Sequence, residues 1–297
     1  MSRLRLVPGS GWATRYRRVM TLDSMSLLPM SDGRYIPQIG FGVWQVPDDE
    51  VAQACRTAVS AGYRHIDTAA VYANEQGVGE AIATCGLDRD DLFITTKIWN
   101  SDHGYAEALG AAQRSLDLLG LDYVDLLLVH WPTPAQDKYE PTWRALIELR
   151  ERGLTRSIGV SNFHREHLLR IIDATGVVPV LNQIELHPWL PQAQLRALHD
   201  ELGILTEAWS PLGSGQLVND PTLTAIGAQY GVTAAQVMVR WHLQLGNVVL
   251  PKSVTPERIR ENIDVFGFEL SPTDMASIEG LNSGRRIGPN PEEFNEA

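Results

Sequence analysis

Residues 124–162 read VDLLLVHWPTPAQDKYEPTWRALIELRERGLTRSIGVSN, and this stretch contains the repeating unit that decides the fold. The unit is a short apolar run that ends in a polar residue, then a segment of helical periodicity, then a second apolar run. Short, nearly continuous apolar runs are typical of strands buried on both faces of a parallel sheet. The stretch therefore predicts a strand, a helix and a second, parallel strand.

The same alternation continues in both directions and covers most of the chain. The apolar runs lie at residues 39–44, 63–67, 92–97, 124–130, 156–162, 179–185, 204–210 and 247–253. Helical patterns between them include residues 49–61, 105–120, 141–153, 166–174, 191–202, 221–230 and 256–265, several with Pro in the first turn and Gly at the end. Eight strands, each followed by a helical segment and without a linker-like break, predict a (β/α)8 TIM barrel. We expect residues 25–297 to form this single domain.

The chain before the first barrel strand divides into two predicted parts. Leu27-Leu28 and Tyr35-Ile36 flank the turn dipeptide Asp32-Gly33, which predicts an N-terminal β-hairpin. Residues 1–24 carry scattered arginines without periodicity, and they lack the apolar segment of a secretory signal. We interpret them as a disordered leader; a tether to an anionic surface is the alternative.

Charge and cysteine content exclude several classes of function. Lys and Arg number 25 against 36 Asp and Glu, and the resulting net charge of −11 opposes binding to nucleic acid or anionic lipid. No apolar run approaches the ~18 residues of a membrane-spanning helix. The only cysteines, Cys55 and Cys85, lie in helical patterns, so a disulfide framework is not expected. A soluble cytoplasmic protein is predicted.

Polar residues at the ends of the predicted strands are the candidates for chemistry, because active sites of such barrels lie at the C-terminal ends of the strands. Asp67, Lys97 and His130 each end a run. Tyr72 follows Asp67 by five residues, which places it over the same mouth. Ser161 and Asn162 end the fifth run together.

Lys97 is informative because the chain has only three lysines, whereas its other basic residues are arginines. A compact ammonium at the end of a buried strand needs a carboxylate, and Asp67 is in position to supply it. The same ammonium stabilises a phenolate, which makes Tyr72 a candidate proton donor. His130 is then placed to hold a substrate oxygen. A structural ion pair for Asp67 and Lys97, and a core histidine at His130, are the alternatives.

An anion site is predicted after the eighth run. Thr255 is a candidate N-cap with Pro256 in the first helical turn, so that free backbone N–H groups face the mouth. Lys252 and Arg258 add positive charge, which suits a phosphomonoester such as the one on the ribose of NADP. An ordinary capped helix with a stray lysine is the alternative. No metal-ligand constellation is found at the strand ends, so no metal site is predicted.

Two further groups of side chains lie at or near the predicted strand ends. The first suits an amide and an aromatic ring, such as the carboxamide and ring of nicotinamide, and consists of Ser161, Asn162, Gln183 and Trp209. The second is expected to form the walls of a substrate pocket and consists of Trp44, Trp99 and Trp131. Helix capping and core packing explain any single member equally well.

At these residues the sequence resembles the aldo-keto reductase superfamily, from about Leu27 to Leu281. The motifs that carry the resemblance are GYRHIDTAAVY (62–72), NEQGVG (74–79), the strand ending at Lys97, LLVHWP (127–132), GVSNF (159–163), NQIE (182–185) and PKS (251–253). WSPLG (209–213) and RWHL (240–243) are most similar to the bacterial 2,5-diketo-D-gluconate reductase-like members.

The resemblance implies an NADPH-dependent reductase that converts aldehydes and ketones to alcohols. It implies that Tyr72 is the general acid, that Lys97 lowers its pKa, that Asp67 fixes Lys97 and that His130 orients the substrate. The cofactor contacts that it implies are Gly42, Val43, Ser161, Asn162, Gln183, Trp209, Ser210, Leu212, Lys252, Ser253, Val254, Arg258, Glu261 and Asn262. The substrate is then a small carbonyl compound, an α-dicarbonyl or a keto-sugar, and the protein is expected to be a monomer.

Two departures from the family pattern matter for the site. Many members have a tyrosine where this chain has Trp209, which preserves ring stacking but alters the hydrogen bonding nearby. The chain also ends soon after Leu281, where mammalian relatives have a longer loop over the substrate, so a more open pocket is expected. A cofactor-binding redox sensor with slow turnover is the competing functional class, and the complete set of Asp67, Tyr72, Lys97 and His130 argues against it.

Overall fold

The computed structural model describes residues 26–296, and the predicted leader at residues 1–24 lies outside the described residues. The strands are β1 Leu27–Pro29, β2 Tyr35–Pro37, β3 Phe41–Gly42, β4 His65–Asp67, β5 Phe93–Ile98, β6 Val124–Val129, β7 Thr155–Ser161, β8 Leu181–Glu185, β9 Leu205–Trp209 and β10 Val248–Val249. The α-helices are α1 Asp48–Ala61, α2 Glu75–Thr84, α3 Tyr105–Leu119, α4 Tyr139–Glu151, α5 Arg165–Thr175, α6 Ala193–Leu202, α7 Pro221–Tyr230, α8 Ala234–Gln244, α9 Pro256–Ile263 and α10 Pro272–Glu279.

β1 and β2 form the predicted N-terminal hairpin. They pair antiparallel with Leu28 opposite Ile36. The turn between them contains Gly33 at φ 85°, a conformation that glycine adopts without steric cost. The sequence prediction for this segment is confirmed.

β3 to β10 form one sheet of eight parallel strands in chain order. The ring closes where Ile39 pairs with Val249 in a parallel bridge. Here the Gly40 N–H donates to the Val249 carbonyl at 2.9 Å, and the Val249 N–H donates to the Gln38 carbonyl at 2.9 Å. The predicted (β/α)8 barrel is therefore confirmed, because every strand follows its neighbour around a closed ring.

Eight of the helices connect or follow the barrel strands, and α7 and α10 are additions. α7 and α10 are joined by a hydrogen bond of 2.6 Å from the Tyr230 hydroxyl to Asp274 Oδ2. The helix predicted from Pro191 begins at Ala193 instead, because Gln192 has a left-handed φ of 48°. α8 was not among the predicted helices. These differences leave the strand order and the position of the site unchanged.

The apolar core lies between the sheet and the helices. Trp143 on α4 and Trp241 on α8 are its largest members, and both are buried. Near the carboxyl ends of the strands the barrel interior is polar instead, and buried Asp67, Lys97 and Gln183 lie there. Within residues 26–296, no helix combines the length and apolar character needed to span a membrane.

Candidate active site

A cavity of about 970 Å³ opens at the carboxyl ends of the barrel strands. Among the residues predicted from the sequence, those that line it are Gly42, Trp44, Asp67, Tyr72, Trp99, His130, Trp131, Ser161, Asn162, Gln183, Trp209, Ser210, Leu212, Lys252, Ser253, Arg258, Glu261 and Asn262. Lys97 is fully buried directly behind Asp67 and Tyr72. Two predicted contacts lie outside the lining: Val43 is buried and Val254 is exposed.

Lys97, Asp67 and Tyr72 form one hydrogen-bonded set. The Lys97 ammonium donates to Asp67 Oδ1 at 2.6 Å, to the Thr68 carbonyl at 2.8 Å and to the Tyr72 Oη at 3.4 Å. Asp67 ends β4, Lys97 lies near the end of β5, and Tyr72 ends a 3₁₀ turn that follows β4. An ammonium has three protons, so all three have acceptors and the phenol oxygen is held beside a fixed positive charge.

The electrostatic effects on this set oppose one another. Burial raises the pKa of Asp67, and the Lys97 ammonium and the Gln183 amide lower it. Burial lowers the pKa of Lys97, but Asp67, Tyr72 and Glu207 together raise it by more, so the net shift is upward and the lysine stays an ammonium. The recessed position of Tyr72 raises its pKa, while Lys97 lowers it. Lys97 thus acts on Tyr72 in the direction that the sequence predicts, although the net shift of the phenol is upward.

His130 follows β6 and faces this set. Its ring lies edge-on to the Tyr72 ring with centroids 5.8 Å apart and edge-on to the Trp99 ring at 5.1 Å. Burial, together with the Lys97 charge, lowers the pKa of His130 well below its ordinary value, so the imidazole is neutral at pH 7. Nδ1 is buried without a hydrogen-bond partner among the described residues. A neutral imidazole that lines the cavity is suited to donate to a ligand oxygen through Nε2, since the buried Nδ1 is out of reach.

Ser161, Asn162, Gln183 and Trp209 form a continuous hydrogen-bonded chain along β7 to β9. The Trp209 Nε1 donates to Asn162 Oδ1 at 2.8 Å, which fixes the plane of the indole. Asn162, at φ 63°, donates from Nδ2 to the His130 carbonyl at 3.1 Å and to Ser161 Oγ at 3.0 Å. Ser161 Oγ donates in turn to the Gln183 carbonyl at 2.9 Å. Trp209 stands where the family pattern often has a tyrosine. Its indole N–H forms a hydrogen bond to Asn162, a member of the same predicted group.

The predicted phosphate end lies where β10 leads into α9. α9 begins at Pro256 after Thr255, as predicted, but the Thr255 side chain forms no capping bond; its backbone N–H donates to Ser253 Oγ at 3.0 Å. Lys252 and Arg258 are exposed and have no carboxylate within 4 Å among the described residues. Lys252 Nζ donates only a long hydrogen bond of 3.5 Å, to the Gln45 carbonyl, among the described residues. Two cations without a carboxylate partner beside a helix N-terminus suit a phosphate group.

Aromatic side chains form the opposite wall of the cavity. Trp44 is 49% exposed, whereas Trp131 is buried. Phe294, which the sequence reasoning missed, packs on Trp131 with ring centroids 4.6 Å apart and lies 6.4 Å from Trp99. The local sequence around Phe294 does not predict its position, because its partner Trp131 lies more than 160 residues away in the chain.

Residues 285–296, here called the C-terminal segment, contribute Gly288 and Phe294 to the cavity wall, and the expectation of a more open pocket than in mammalian relatives stays a prediction. Glu185, buried at the end of β8, accepts hydrogen bonds from the backbone N–H groups of Ile287 at 2.5 Å and Gly288 at 3.2 Å. Gly288 lies so close to the Trp209 indole that a Cβ there would collide with the ring. Further along the segment, Glu292 accepts from His164 Nδ1 at 2.6 Å.

The described residues fit a phosphorylated nicotinamide dinucleotide. The indole of Trp209, held in one plane, and the Gln183 amide lie in the same cavity as the exposed cations Lys252 and Arg258. A cavity of about 970 Å³ is large by the standard of ligand pockets, which favours a ligand larger than a small carbonyl compound. Among the described residues, no group of three or more His, Cys, Asp or Glu side chains is arranged to hold a metal ion.

Comparisons with known proteins agree with this geometry. Residues 38–283 match the profile of the Aldo/keto reductase family. The chain is 56% identical over 269 residues to an aldo-keto reductase of Mycobacterium sp. (strain KMS), covering 91% of this chain and 98% of that protein. It is 51% identical over 271 residues to the methylglyoxal reductase DkgA of Yersinia pestis, covering 90% and 97%. A crystal structure of a Gox0644 mutant in complex with NADPH superposes with a TM-score of 0.88 at 48% identity, covering 91% and 98%.

Proposed function

The chain belongs to the aldo/keto reductase family, and from this premise we propose that it reduces small uncharged aldehydes and ketones to alcohols with NADPH. One observation carries the proposal: the Lys97 ammonium bonds both Asp67, at 2.6 Å, and Tyr72, at 3.4 Å, on the floor of a cavity that His130 also lines. A charged group held beside a phenol and a neutral imidazole is an arrangement for proton transfer to a substrate oxygen.

In the proposed mechanism the bound nicotinamide supplies a hydride for the carbonyl carbon. His130 orients the substrate by donating a hydrogen bond to the carbonyl oxygen. The Tyr72 hydroxyl gives its proton to that oxygen as negative charge develops there, and Lys97 stabilises the phenolate that remains. Asp67 keeps Lys97 charged and in place. Trp209, Asn162 and Gln183 hold the nicotinamide end, and Lys252 and Arg258 hold the 2′-phosphate.

The chemistry of the cavity wall supports the substrate class. Lys252 and Arg258 are the cationic residues that line the cavity within residues 26–296, and both are assigned to the cofactor phosphate. The wall near Tyr72 and His130 is formed by the rings of Trp44, Trp99, Trp131 and Phe294. Carboxylate substrates find no unassigned cation there, whereas methylglyoxal, aromatic aldehydes and other neutral carbonyls bury apolar surface.

The proposal is tested by following NADPH absorbance with methylglyoxal and benzaldehyde for the wild type and for Tyr72→Phe. Removal of the proton donor is expected to lower kcat by at least about 100-fold, the usual range for general acid catalysis. NADPH affinity, measured by quenching of tryptophan fluorescence, is expected to stay close to that of the wild type. Unchanged turnover in Tyr72→Phe rejects the mechanism, and tight NADPH binding without turnover in the wild type favours a redox sensor.

We also propose that the protein acts as a cytoplasmic monomer. All of the groups assigned to the reaction lie in one chain, so the cavity needs no residue from a second copy. Cys55 and Cys85 are both free thiols, which suits a reducing compartment. Sedimentation velocity at micromolar concentration tests the oligomeric state, and a single species near 33 kDa is expected from the chain mass of 32.9 kDa.

A further inference from the structure

Glu207 is a buried carboxyl group that the proposed mechanism does not use. It lies in the middle of β9, is 0% exposed and does not line the cavity. Its partner in the strand register is Gln183 on β8, so both side chains point to the same side of the sheet, into the barrel. Burying a carboxyl group costs free energy that an apolar side chain at the same position would not. A carboxyl group retained there therefore points to a role in the site.

The contacts of Glu207 converge on a single amide. Gln183 Nε2 donates to Glu207 Oε2 at 2.8 Å and to Asp67 Oδ2 at 2.9 Å. An amide nitrogen has two protons, so both are committed to these two carboxyl groups. If the amide were flipped, its oxygen would face the Asp67 carboxylate, which has no proton to donate. The two carboxyl groups therefore fix which end of the Gln183 amide remains for a ligand in the cavity.

We propose that Glu207 is a positioning residue for the reductase reaction: together with Asp67 it fixes the amide of Gln183, so that Gln183 presents its oxygen to the nicotinamide carboxamide. The same bridge joins β9 to Asp67 on β4, across the barrel, and so steadies the carboxylate that holds Lys97. This inference rests on the proposed function, since it concerns the cofactor and acid–base groups of that site.

The proton on Glu207 adds a pH dependence. Burial, reinforced by the negative charge of Asp67, raises the pKa of Glu207 to about 8. The other oxygen, Oε1, has no hydrogen-bond partner among the described residues and lies 3.9 Å from Nδ1 of His65. His65 is itself neutral at these pH values, because burial lowers its pKa to about 3.

The charged groups that face Glu207 from across the barrel are Asp67 on β4 and Lys97 on β5, and Tyr72 lies beyond them. Below pH 8 Glu207 is neutral and accepts from Gln183 through Oε2. Above pH 8 it becomes a second carboxylate beside Asp67, and its charge raises the pKa of Tyr72, which makes the phenol a weaker acid. Reduction is therefore expected to slow as Glu207 ionises.

Two variants separate the hydrogen bond from the charge. Glu207→Gln keeps an oxygen acceptor for Gln183 and cannot ionise, whereas Glu207→Leu removes the acceptor. In cofactor-free protein, infrared difference spectra are recorded between pH 6 and pH 9.5. The wild type is expected to show a protonated carboxyl band that disappears near pH 8, and Glu207→Gln is expected to lack this band.

Kinetic and binding measurements test the effect on the reaction. With NADPH and methylglyoxal, the fall in kcat near pH 8 is expected to vanish in Glu207→Gln. Glu207→Leu is expected to weaken NADPH roughly three- to tenfold, the value of one hydrogen bond.

Glu75→Gln is the matched control. Glu75 is another buried carboxyl, 3% exposed, and it accepts from Thr96 Oγ1 at 2.5 Å without touching Gln183 or Asp67. This variant is expected to keep the fall in kcat near pH 8 and the wild-type NADPH affinity. If it loses either one, a general effect of buried carboxyl groups replaces the specific role of Glu207.

The inference is overturned if Glu207→Gln retains both the infrared transition and the kcat inflection, or if a folded Glu207→Leu binds NADPH as tightly as the wild type. Should Glu207→Leu not fold, Glu207→Gln decides through its infrared and pH readouts. The infrared titration and the NADPH affinity do not depend on turnover. A failed Glu207 prediction is therefore distinct from a failed reductase proposal, which the wild type and Tyr72→Phe test by themselves.

Discussion

The Lys97 ammonium lies 3.4 Å from the Tyr72 hydroxyl oxygen and 5.0 Å from the centre of the Tyr72 ring. Lys97 therefore acts on the phenol at short range, and the only carboxylate within 4 Å of it among the described residues is Asp67. Because lysine and aspartate are both buried, removing one leaves the other as an unpaired group inside the barrel.

We expect Lys97→Met to abolish reduction and to destabilise the fold. Breaking a buried pair by removing one partner costs about 3–5 kcal/mol. Urea unfolding measures this loss, and NADPH consumption measures the loss of activity. The double variant Lys97→Met with Asp67→Asn removes the unpaired carboxylate and is expected to regain part of the stability but no activity. Recovery of activity in the double variant would contradict the role given to Lys97.

Arg258→Ala is expected to weaken NADPH roughly tenfold and to leave NADH nearly unchanged, because the lost partner is the 2′-phosphate. Arg258 is exposed, lines the cavity and has no carboxylate within 4 Å among the described residues. Arg260→Ala is the matched control, since Arg260 is an exposed arginine on the same helix that does not line the cavity. Fluorescence titration with both cofactors gives the Kd values. Equal losses for NADPH and NADH would show that Arg258 does not bind the 2′-phosphate.

Periodicity and strand-end position were sufficient to predict the barrel and most of the cavity. Asp67, Lys97 and His130 end apolar runs, and parallel strands bring such ends to one mouth. The Lys97–Asp67 contact followed from the cost of an unpaired buried ammonium. Each of these inferences needs only the residue at the end of a strand and the general rule that parallel strands bring such ends together.

The missed features depend on contacts between distant parts of the chain. Phe294 reaches Trp131, and Gly288 reaches Trp209, because buried Glu185 holds the C-terminal segment by two backbone N–H groups. No local pattern encodes where that segment lies. Glu207 did carry a signal, since a charged residue inside an apolar strand run is unusual. The role of Glu207 could be inferred only from the strand register, which places Gln183 beside it.

The aromatic wall predicts discrimination against anionic substrates. Methyl 4-formylbenzoate and 4-carboxybenzaldehyde carry a neutral methyl ester and a carboxylate at the same para position. The carboxylate is expected to lower kcat/KM by about tenfold or more, because it is desolvated beside rings without an unassigned cation. Steady-state kinetics at 0.15 M salt keeps long-range repulsion by the net charge of −11 small. Equal kcat/KM for the two aldehydes would contradict the proposed substrate class.

Phe294→Ala tests whether the C-terminal segment shapes the substrate pocket. Loss of the ring that packs on Trp131 at 4.6 Å is expected to raise the KM for methylglyoxal and to admit bulkier aromatic ketones. Because Phe294 is not among the acid–base groups, kcat should change less than KM. Phe294→Leu retains apolar volume and is expected to give intermediate values. A change confined to kcat would indicate that the segment acts on the chemistry instead.

Buried neutral histidines predict a loss of stability in mild acid. His199 is 0% exposed; its Nδ1 pairs with Thr206 Oγ1 at 2.8 Å and its Nε2 with the Asn182 amide at 2.9 Å. Burial lowers the pKa of His199 from 6.5 to about 4, and burial likewise lowers that of His103 to about 4. At pH 5 the unfolded chain therefore binds a proton at each of these positions and the folded chain does not, so the free energy of unfolding falls as the pH falls.

One such histidine contributes about 1.4 kcal/mol per pH unit near pH 5. Its contribution is fully present above pH 6.5 and is lost as the pH falls through 6.5 toward the folded-state value of about 4. Urea unfolding at pH 7.0, 5.5 and 5.0 measures the slope, and His199→Gln is expected to reduce it by about 1.4 kcal/mol per pH unit. His103→Gln should reduce it by a similar amount, because His103 is also buried and its pKa is likewise lowered to about 4. An unchanged slope in both variants would mean that these histidines are not neutral in the folded protein at pH 5.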